Sequence, residues 1–291
     1  MSRILIAGCG YVGAAAADLF HGAGWEVEGW TGSAQSAERL SLAPYLVRAV
    51  DLTDKNAVRA ASVSFDAIIQ AASSRGGDAE AYGRIYLEAA RNLSAAFPDS
   101  LLLFTSSTSV YAQTAGEWVS EVCPAEPERQ TGRVLREAEE FVLGRGGIVA
   151  RLAGIYGPGR SALLKKFLAG EAVLDPSSER FINQVHRDDV ATALLLLVQW
   201  HLGQQVKTRG RESRIFNLAD NHPLSQRDAY AWLAAHLQRP LPPVADVAME
   251  RKRGNSNKRV SSEKLQALGW SPLYPTFQGA MAQSILPSFD L

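Results

Sequence analysis

The stretch Gly8-Cys9-Gly10-Tyr11-Val12-Gly13 decides the fold of this chain. It directly follows the buried strand predicted from Arg3 to Ala7 and opens the helical pattern from Val12 to His21. In a G-x-G-x-x-G turn of this kind, the first glycine permits the tight turn, the second lets the backbone approach a pyrophosphate, and the third lets helix and strand pack closely. The alternative is a glycine turn without a ligand. We predict a dinucleotide site that includes Gly8, Gly10, Tyr11, Val12 and Gly13.

Six further runs predict the remaining strands of a sheet, at Trp25–Trp30, Tyr45–Val50, Phe65–Ala71, Leu101–Thr105, Gly147–Arg151 and Arg214–Leu218. Helical patterns separate most of these runs. This alternation predicts an α/β protein with a Rossmann-type, doubly wound parallel sheet. After residue 155 the pattern becomes less regular. We therefore predict a dinucleotide-binding domain over 1–155, to which 185–218 return, and a small C-terminal α/β substrate-binding region over 156–184 and 219–291.

The composition argues against several classes of function. The 291 residues include 30 basic and 30 acidic side chains, so no global field attracts nucleic acid or an anionic membrane. The densest basic run, Arg251-Lys252-Arg253 with Lys258 and Arg259 beyond it, predicts a solvated loop. Cys9 and Cys123 are too few for a disulfide framework or a zinc site, and no apolar run reaches the roughly 20 residues of a membrane span. We expect a cytoplasmic protein with no metal and no nucleic-acid or membrane partner.

The end of the second predicted strand bears on which dinucleotide binds. An NAD site usually has Asp or Glu there to bond the ribose 2′-hydroxyl, whereas this strand ends Gly29-Trp30-Thr31-Gly32-Ser33. The hydroxyls of Thr31 and Ser33 could donate to a 2′-phosphate, and Arg39 could supply charge. We therefore predict NADP, with NAD as the alternative; the two hydroxyls could also serve only the turn. Asp51, at the end of the third strand, is expected near the adenine ring.

Motifs spread over nearly the whole chain occur in the order typical of one family. Besides the glycine loop, they are Ala71-Ala72 after the fourth strand, T-S-S-T-S-V-Y from Thr105 to Tyr111, Arg151 with Tyr156-Gly157-Pro158-Gly159, V-H-R-D-D-V-A from Val185 to Ala191, Phe216-Asn217-Leu218, and L-G-W-S-P from Leu268 to Pro272. Together they resemble the extended short-chain dehydrogenase/reductase family, of the sugar-nucleotide epimerase/dehydratase type. The resemblance implies cofactor contacts from Ala71 and Ala72 and a small-molecule substrate, and it allows a homodimer.

The Y-x-x-x-K pair of that family is missing here. Alignment on Gly132 places Thr131 at the tyrosine position and Leu135 at the lysine position. In the family, the tyrosine exchanges a proton with the reacting oxygen, and the lysine lowers the pKa of the tyrosine and holds the ribose. Threonine is a far poorer acid or base near neutral pH, and leucine is none at all. Gly154 also replaces the usual substrate-side asparagine, so the resemblance indicates an atypical branch and implies cofactor binding more securely than the usual chemistry.

Three residues remain as candidates for catalysis. Ser107 aligns with the catalytic serine or threonine of the family, whose hydroxyl bonds the substrate oxygen, and Ser106 is its neighbour and backup. Both hydroxyls could instead brace the loop after the strand. Tyr111 could replace the missing tyrosine if its hydroxyl turned toward the nicotinamide, although in the family this tyrosine usually packs. Beside these three, Arg133 is a cation that could hold a ribose, a phosphate or a carboxylate.

These observations support two main hypotheses of function. The first is an NAD(P)-dependent oxidoreductase or epimerase/dehydratase-like enzyme that acts on a sugar nucleotide or a similar polar metabolite. The second is a non-catalytic dinucleotide-binding sensor or regulatory protein, motivated by the loss of the Y-x-x-x-K pair. A nucleic-acid binder through Arg251 to Arg259 is a third and weaker hypothesis. We favour the enzyme.

Overall fold

Seven parallel strands form the central sheet of the protein. A computed structural model describes residues 1–61, 63–74, 76–176, 180–203, 214–245 and 256–289. Its strands are β1 (Arg3–Ala7), β2 (Glu26–Thr31), β3 (Leu46–Ala49), β4 (Ala67–Gln70), β5 (Leu101–Ser107), β6 (Glu117–Val119), β7 (Ile148–Leu152), β8 (Gly154–Tyr156), β9 (Phe181–Ile182), β10 (Gln184–His186), β11 (Ile215–Leu218), β12 (Leu224–Ser225) and β13 (Lys258–Val260). The sheet order is β11-β7-β5-β4-β1-β2-β3, and every neighbouring pair is parallel.

The helices lie partly against the sheet, in two packed groups, and partly around a separate small core. They are α1 (Tyr11–Gly22), α2 (Ala34–Glu38), α3 (Lys55–Ala60), α4 (Ala79–Tyr82), α5 (Ala89–Ala96), α6 (Gln130–Gly144), α7 (Ala162–Leu168), α8 (Arg187–Leu202), α9 (Gln226–His236), α10 (Glu263–Gln266) and α11 (Phe277–Ala280), with π-helical turns at Gly83–Glu88 and Met281–Ile285. Helix α1 packs against α8, whereas α4, α5 and the first π-helical turn pack against α6. This arrangement confirms the predicted doubly wound α/β fold.

The inner strands of the sheet are apolar because both faces are covered. In β1 the side chains of Ile4, Leu5 and Ile6 are all fully buried, and β4 and the first half of β5 are buried in the same way. Strands that are buried on both faces form continuous apolar runs rather than alternating ones. All seven runs predicted from the sequence coincide with strands of this sheet, within one or two residues at each end.

A second, smaller core lies apart from the one that fills the sheet. It contains Tyr156, Leu164 and Phe167 from one part of the chain, and Tyr230 and Phe277 from another. Helices α7, α9 and α11 contribute many of its side chains. This core draws on segments assigned to the predicted substrate-binding region, although the domain boundaries themselves stay a prediction.

The short strands outside the central sheet were not predicted. Strands β6, β8, β9, β10, β12 and β13 contain two or three residues each, which is too few to show a period-2 pattern. Lys258 and Arg259 belong to β13, which pairs in parallel with β6, so the solvated-loop prediction is wrong for these two residues. The adjoining run 251–253 lies outside the described residues. Within the described part of the chain, no helix is long and apolar enough to span a membrane.

Candidate functional site

The glycine loop lies at the carboxyl end of β1, against the segment that follows β4. Gly8 has a φ of 107°, which favours glycine, and its N–H donates to the carbonyl oxygen of Trp30 at 3.0 Å. A Cβ atom on Gly8 would lie 2.2 Å from the backbone nitrogen of Ala72 and 2.5 Å from the carbonyl carbon of Ala71. The loop and the Ala71-Ala72 segment are therefore in direct backbone contact, which brings the two predicted parts of the cofactor site together.

Gly10 and Gly13 differ in what surrounds them. A Cβ atom on Gly13 would lie 2.2 Å from the carbonyl oxygen of Gly8, so helix α1 packs tightly onto the loop, and the neighbouring Val12 is buried. A Cβ atom on Gly10 would meet no heavy atom within 4 Å. Gly10 is also the N-cap of α1, and no side chain caps that helix. An open backbone at an uncapped helix N-terminus fits a pyrophosphate group, because free N–H groups and the helix dipole favour an anion there.

Tyr11 connects the glycine loop to the turn after β8. Its hydroxyl donates to the carbonyl oxygen of Pro158 at 3.0 Å. The guanidinium carbons of Arg160 and Arg187 lie 5.1 and 5.2 Å from the centre of its ring. Two cations thus accompany Tyr11 at the start of α1. Neither arginine was predicted as a site residue, although Arg187 lies within the V-H-R-D-D-V-A motif.

The polar group at the end of β2 consists of Ser33, Ser36 and Arg39. Ser33 caps α2, and its hydroxyl donates to the Ser36 Oγ at 3.0 Å. The Arg39 guanidinium donates to the same Ser36 oxygen at 3.0 Å. The buried Thr31 hydroxyl instead donates to the carbonyl oxygen of Ser33 at 3.1 Å. The Thr31 hydroxyl therefore stabilises the turn after β2, whereas Ser33 and Arg39 are exposed to solvent beyond the end of the strand.

Asp51 lies two residues beyond β3 at an exposed position. Its Oδ1 accepts hydrogen bonds from the N–H of Thr53 at 2.9 Å and from the Thr53 hydroxyl at 2.8 Å. Asp51 and the glycine loop share one edge of the sheet, because both follow the carboxyl ends of parallel strands. The predicted adenine contact is compatible with this placement and stays a prediction.

Ser107 is the last residue of β5 and is half-buried. Its Oγ accepts a hydrogen bond from the N–H of Ser109 at 3.1 Å, which caps the short 3-10 turn Thr108–Val110. A hydroxyl carries one donor and two acceptor lone pairs. No described residue accepts a hydrogen bond from this hydroxyl, so its proton is available to a ligand oxygen.

Ser106 and Tyr111 are engaged in a buried network. The Ser106 hydroxyl donates to Glu139 Oε1 at 2.6 Å, and Glu139 forms a buried ion pair with Arg151 at 2.7 Å. The Tyr111 hydroxyl accepts from Arg151 at 2.8 Å and donates to Asn217 Oδ1 at 2.9 Å. Burial raises the pKa of Tyr111, although Arg151 opposes the effect. Both hydroxyls therefore brace the core, and of the three predicted catalytic residues the structure leaves Ser107 accessible to a ligand.

Comparison with known proteins decides the family. A model of the NAD dependent epimerase/dehydratase family matches residues 4–219, about three quarters of the chain. The chain belongs to this family.

Relatives of this epimerase/dehydratase family member match over long stretches. Protein YeeZ of Escherichia coli K12 is 33% identical over 213 residues, which cover 68% of this chain and 74% of that protein. A structure from Methylobacillus flagellatus, described as a candidate NAD-dependent epimerase/dehydratase, is 27% identical with a TM-score of 0.78 and covers 97% of this chain and 96% of its own. The UDP-glucose 4-epimerase of Thermus thermophilus, solved with NAD, is similar in fold at 20% identity, with a TM-score of 0.77 and coverage of 97% and 96%.

This epimerase/dehydratase family member has no proton-exchanging side chain at the aligned Tyr and Lys positions. Leu135 is only 3% exposed and belongs to the core under α6, while Thr131 is half-buried in the first turn of that helix. Arg133 is exposed and donates to the carbonyl oxygen of Pro127 at 3.4 Å. Gly154 stands where the family has its substrate-side asparagine. A Cβ atom on Gly154 would lie 3.1 Å from the carbonyl oxygen of Asn183. Helix α6 therefore offers no acid or base at the two aligned positions.

Proposed function

We propose that this protein binds NADP in preference to NAD and acts as an oxidoreductase or epimerase-type enzyme on a sugar nucleotide or a similar polar metabolite. The observation that carries the proposal is the open backbone at Gly10, where a Cβ atom would meet no protein atom within 4 Å, beside the uncapped start of α1. Membership of the epimerase/dehydratase family and the NAD bound to the Thermus thermophilus neighbour support the same class of cofactor.

The residues that would hold the cofactor lie along one edge of the sheet. The backbone at Gly10, Tyr11 and Val12 would bind the pyrophosphate, and Ala71 and Ala72 would flank the next part of the molecule. Ser33 and Arg39 would bind the 2′-phosphate, because a guanidinium and a serine hydroxyl are good donors to phosphate oxygens. Arg39 donates to a neutral hydroxyl and has no ion pair among the described residues, so its charge is free to recognise the phosphate.

Ser107 is the residue that we place on the reacting oxygen of the substrate. When bound, the nicotinamide supplies the hydride donor or acceptor. The free proton of the Ser107 hydroxyl would bond the substrate oxygen and hold it in position. Serine does not exchange its proton readily near neutral pH, so Ser107 polarises and orients that oxygen. Water or a group on the substrate would take up the proton when the alcohol is oxidised and supply it when the carbonyl is reduced.

Calorimetric titration of the purified protein with NADPH and then NADH tests the cofactor assignment. We expect NADPH to bind at least tenfold more tightly, which corresponds to roughly 1.4 kcal/mol from the extra phosphate contacts. Equal affinities would overturn the NADP preference and leave the dinucleotide site intact. Failure of both to bind would remove the proposed function.

A second candidate function is a dinucleotide sensor without catalysis. The observation that favours it is the burial of Leu135 in the core, since α6 then lacks the cation that the family uses beside the ribose. Incubation of the protein with NADP+ and a panel of sugar nucleotides, whose ring hydroxyls can donate a hydride, distinguishes the two functions. Formation of NADPH or of an epimerised product with any one of them would exclude the sensor, whereas tight dinucleotide binding without any turnover would support it.

A further inference from the structure

Arg160 is an exposed cation beside the glycine loop. Its guanidinium carbon lies 5.1 Å from the centre of the Tyr11 ring. Tyr11 directly follows Gly10, so the Cα atoms of these two residues are about 3.8 Å apart. A Cβ atom on Gly10 would meet no heavy atom within 4 Å. The guanidinium therefore lies close to the open space that we assign to the pyrophosphate group of the cofactor.

The charge of Arg160 has no carboxylate partner among the described residues. In that part of the chain its side chain forms neither an ion pair nor a hydrogen bond, so its contact with the Tyr11 ring leaves the N–H donors of the guanidinium unused. Arg187 lies at nearly the same distance from the ring, 5.2 Å, but its Nε donates to Asp188 Oδ1 at 2.8 Å. Of the two arginines beside Tyr11, one is therefore paired with a carboxylate and the other is not.

A tight turn fixes the backbone of Arg160. The N–H of Gly157 donates to the carbonyl oxygen of Arg160, and the N–H of Arg160 donates back to the carbonyl oxygen of Gly157, both at 2.9 Å. The Tyr11 hydroxyl donates to the carbonyl oxygen of Pro158 at 3.0 Å, which ties the same turn to the glycine loop. A group that is positioned before its ligand arrives loses less conformational freedom on binding. The turn therefore favours recognition by the Arg160 guanidinium.

The glycine loop itself contains no cation for the pyrophosphate dianion. No lysine or arginine lies between Arg3 and Arg39 in the sequence, so the loop and α1 contribute backbone N–H groups and the helix dipole. That dipole amounts to about half an elementary charge at the start of a helix. Leu135 also stands where the family has its lysine beside the ribose. A guanidinium binds phosphate oxygens through two parallel N–H donors, so Arg160 can supply the charge that the loop lacks.

We propose that Arg160 binds the pyrophosphate group of the dinucleotide from the turn after β8. The inference rests on the proposed function and adds to it a side chain that positions the cofactor. The stem of Arg160 stays against the Tyr11 ring, and its guanidinium donates to phosphate oxygens. The pyrophosphate is then held by neutral N–H groups of the glycine loop and by one full positive charge. Arg187, whose charge Asp188 compensates, has no part in this contact.

Calorimetric titration of the full-length protein with NADH and with NADPH tests this contact. Arg160→Met keeps an unbranched stem against the ring and removes the guanidinium, so its Tm should stay within a few degrees of wild type. It should weaken both cofactors by the same factor, roughly tenfold or more, because both contain the pyrophosphate. The matched control is the double variant Arg187→Met with Asp188→Asn, which removes a neutral pair at the same distance from Tyr11 and should leave both affinities within about threefold of wild type.

The salt dependence of NADH binding is a readout that a purely structural role of Arg160 would not change. The affinity of wild type should fall more steeply with added sodium chloride than that of Arg160→Met, because salt screens an exposed charge. Arg160→Lys keeps the charge and should recover part of the lost affinity and the steeper salt dependence. Equal salt dependence in wild type and Arg160→Met would contradict a direct contact with the pyrophosphate.

Three further results would overturn the proposal. Unchanged NADH affinity in Arg160→Met would remove the contact, and a loss of NADPH affinity alone would place Arg160 on the 2′-phosphate. An equal loss in Arg160→Met and in the double variant would show that packing around Tyr11 matters and the free charge does not. The proposed function fails separately, since wild type would then bind neither cofactor, whereas NADH binding that does not depend on Arg160 removes this contact alone.

Discussion

The carbonyl oxygen of Gly8 occupies the space in which a side chain on Gly13 would begin, since a Cβ atom on Gly13 would lie 2.2 Å from that oxygen. Gly10, three residues earlier, has open space instead, because a Cβ atom there would meet no heavy atom within 4 Å. The same loop therefore contains one glycine that the packing of the protein requires and one that leaves room for a ligand.

Alanine at each of these two glycines separates folding from binding. Gly13→Ala should destabilise the protein by about 1–3 kcal/mol, because the new methyl group overlaps a backbone oxygen that cannot move freely. Gly10→Ala should leave the Tm within a few degrees of wild type and weaken NADPH binding at least tenfold. Thermal unfolding and calorimetry on both variants check this. Equal NADPH affinity in Gly10→Ala and wild type would contradict the placement of the pyrophosphate.

Arg39→Ala tests the 2′-phosphate contact. The exposed guanidinium donates to Ser36 and should bond the phosphate, so its loss should weaken NADPH binding roughly tenfold and leave NADH binding unchanged. The effect should shrink as salt is added, because exposed charges are screened. Titrations with both cofactors at low and high ionic strength measure it. A parallel loss of NADH affinity would show that Arg39 supports the fold of the loop instead.

Ser107→Ala and Ser106→Ala form a second matched pair. Ser107→Ala should lower kcat/KM about a hundredfold, since a donor to the reacting oxygen is lost, and should cost about 1 kcal/mol of unfolding free energy, since the hydroxyl also caps the short 3-10 turn. Ser106→Ala removes the donor to Glu139 and should cost about 1–3 kcal/mol of unfolding free energy. Steady-state kinetics and denaturant unfolding of the two variants separate these effects. Full turnover in Ser107→Ala would remove its assignment to the reacting oxygen.

Glu139→Ala should be among the most destabilising substitutions in α6. It leaves the buried Arg151 guanidinium without its ion-pair partner, and the expected cost is about 3–5 kcal/mol. Glu140→Ala is the control, because Glu140 pairs with Arg136 at 2.6 Å on the surface and should cost less than about 1 kcal/mol. Urea unfolding measures the loss of unfolding free energy in both variants. Similar losses would show that the buried ion pair of Glu139 stabilises the protein no more than the exposed pair of Glu140.

Asp220→Asn should stabilise the protein increasingly as the pH rises. Burial raises the pKa of Asp220 from 3.8 to about 7, and the nearby Asp189 adds to the effect while His222 opposes it. Between these values the unfolded chain has lost the proton and the folded chain keeps it, so wild-type stability falls with rising pH. The unfolding free energy of Asp220→Asn relative to that of wild type should therefore grow by about 1 kcal/mol per pH unit from roughly pH 4 to pH 7. Urea unfolding at several pH values measures this slope, and a flat difference would contradict the raised pKa.

Strong local patterns made the sheet predictable. Its inner strands are continuous apolar runs, and the glycine loop follows β1, so strand, turn and helix are all determined within about 20 residues. The short strands β6 and β13 instead pair Glu117 with Lys258 and Val119 with Val260, which lie far apart in the chain. No local pattern predicts such a contact.

The sequence by itself determined the fold class and the glycine loop, because each depends on residue type at fixed local spacing, and its resemblance to the family implied that Thr131 and Leu135 replace the tyrosine and the lysine. Only the tertiary structure decided which serine hydroxyl can donate a hydrogen bond to a ligand. Ser106 and Ser107 are adjacent in sequence, yet one donates to buried Glu139 and the other ends β5 with its proton unused by the described residues. Lys258 likewise became buried only when distant segments closed around it, since burial is a property of the packed chain.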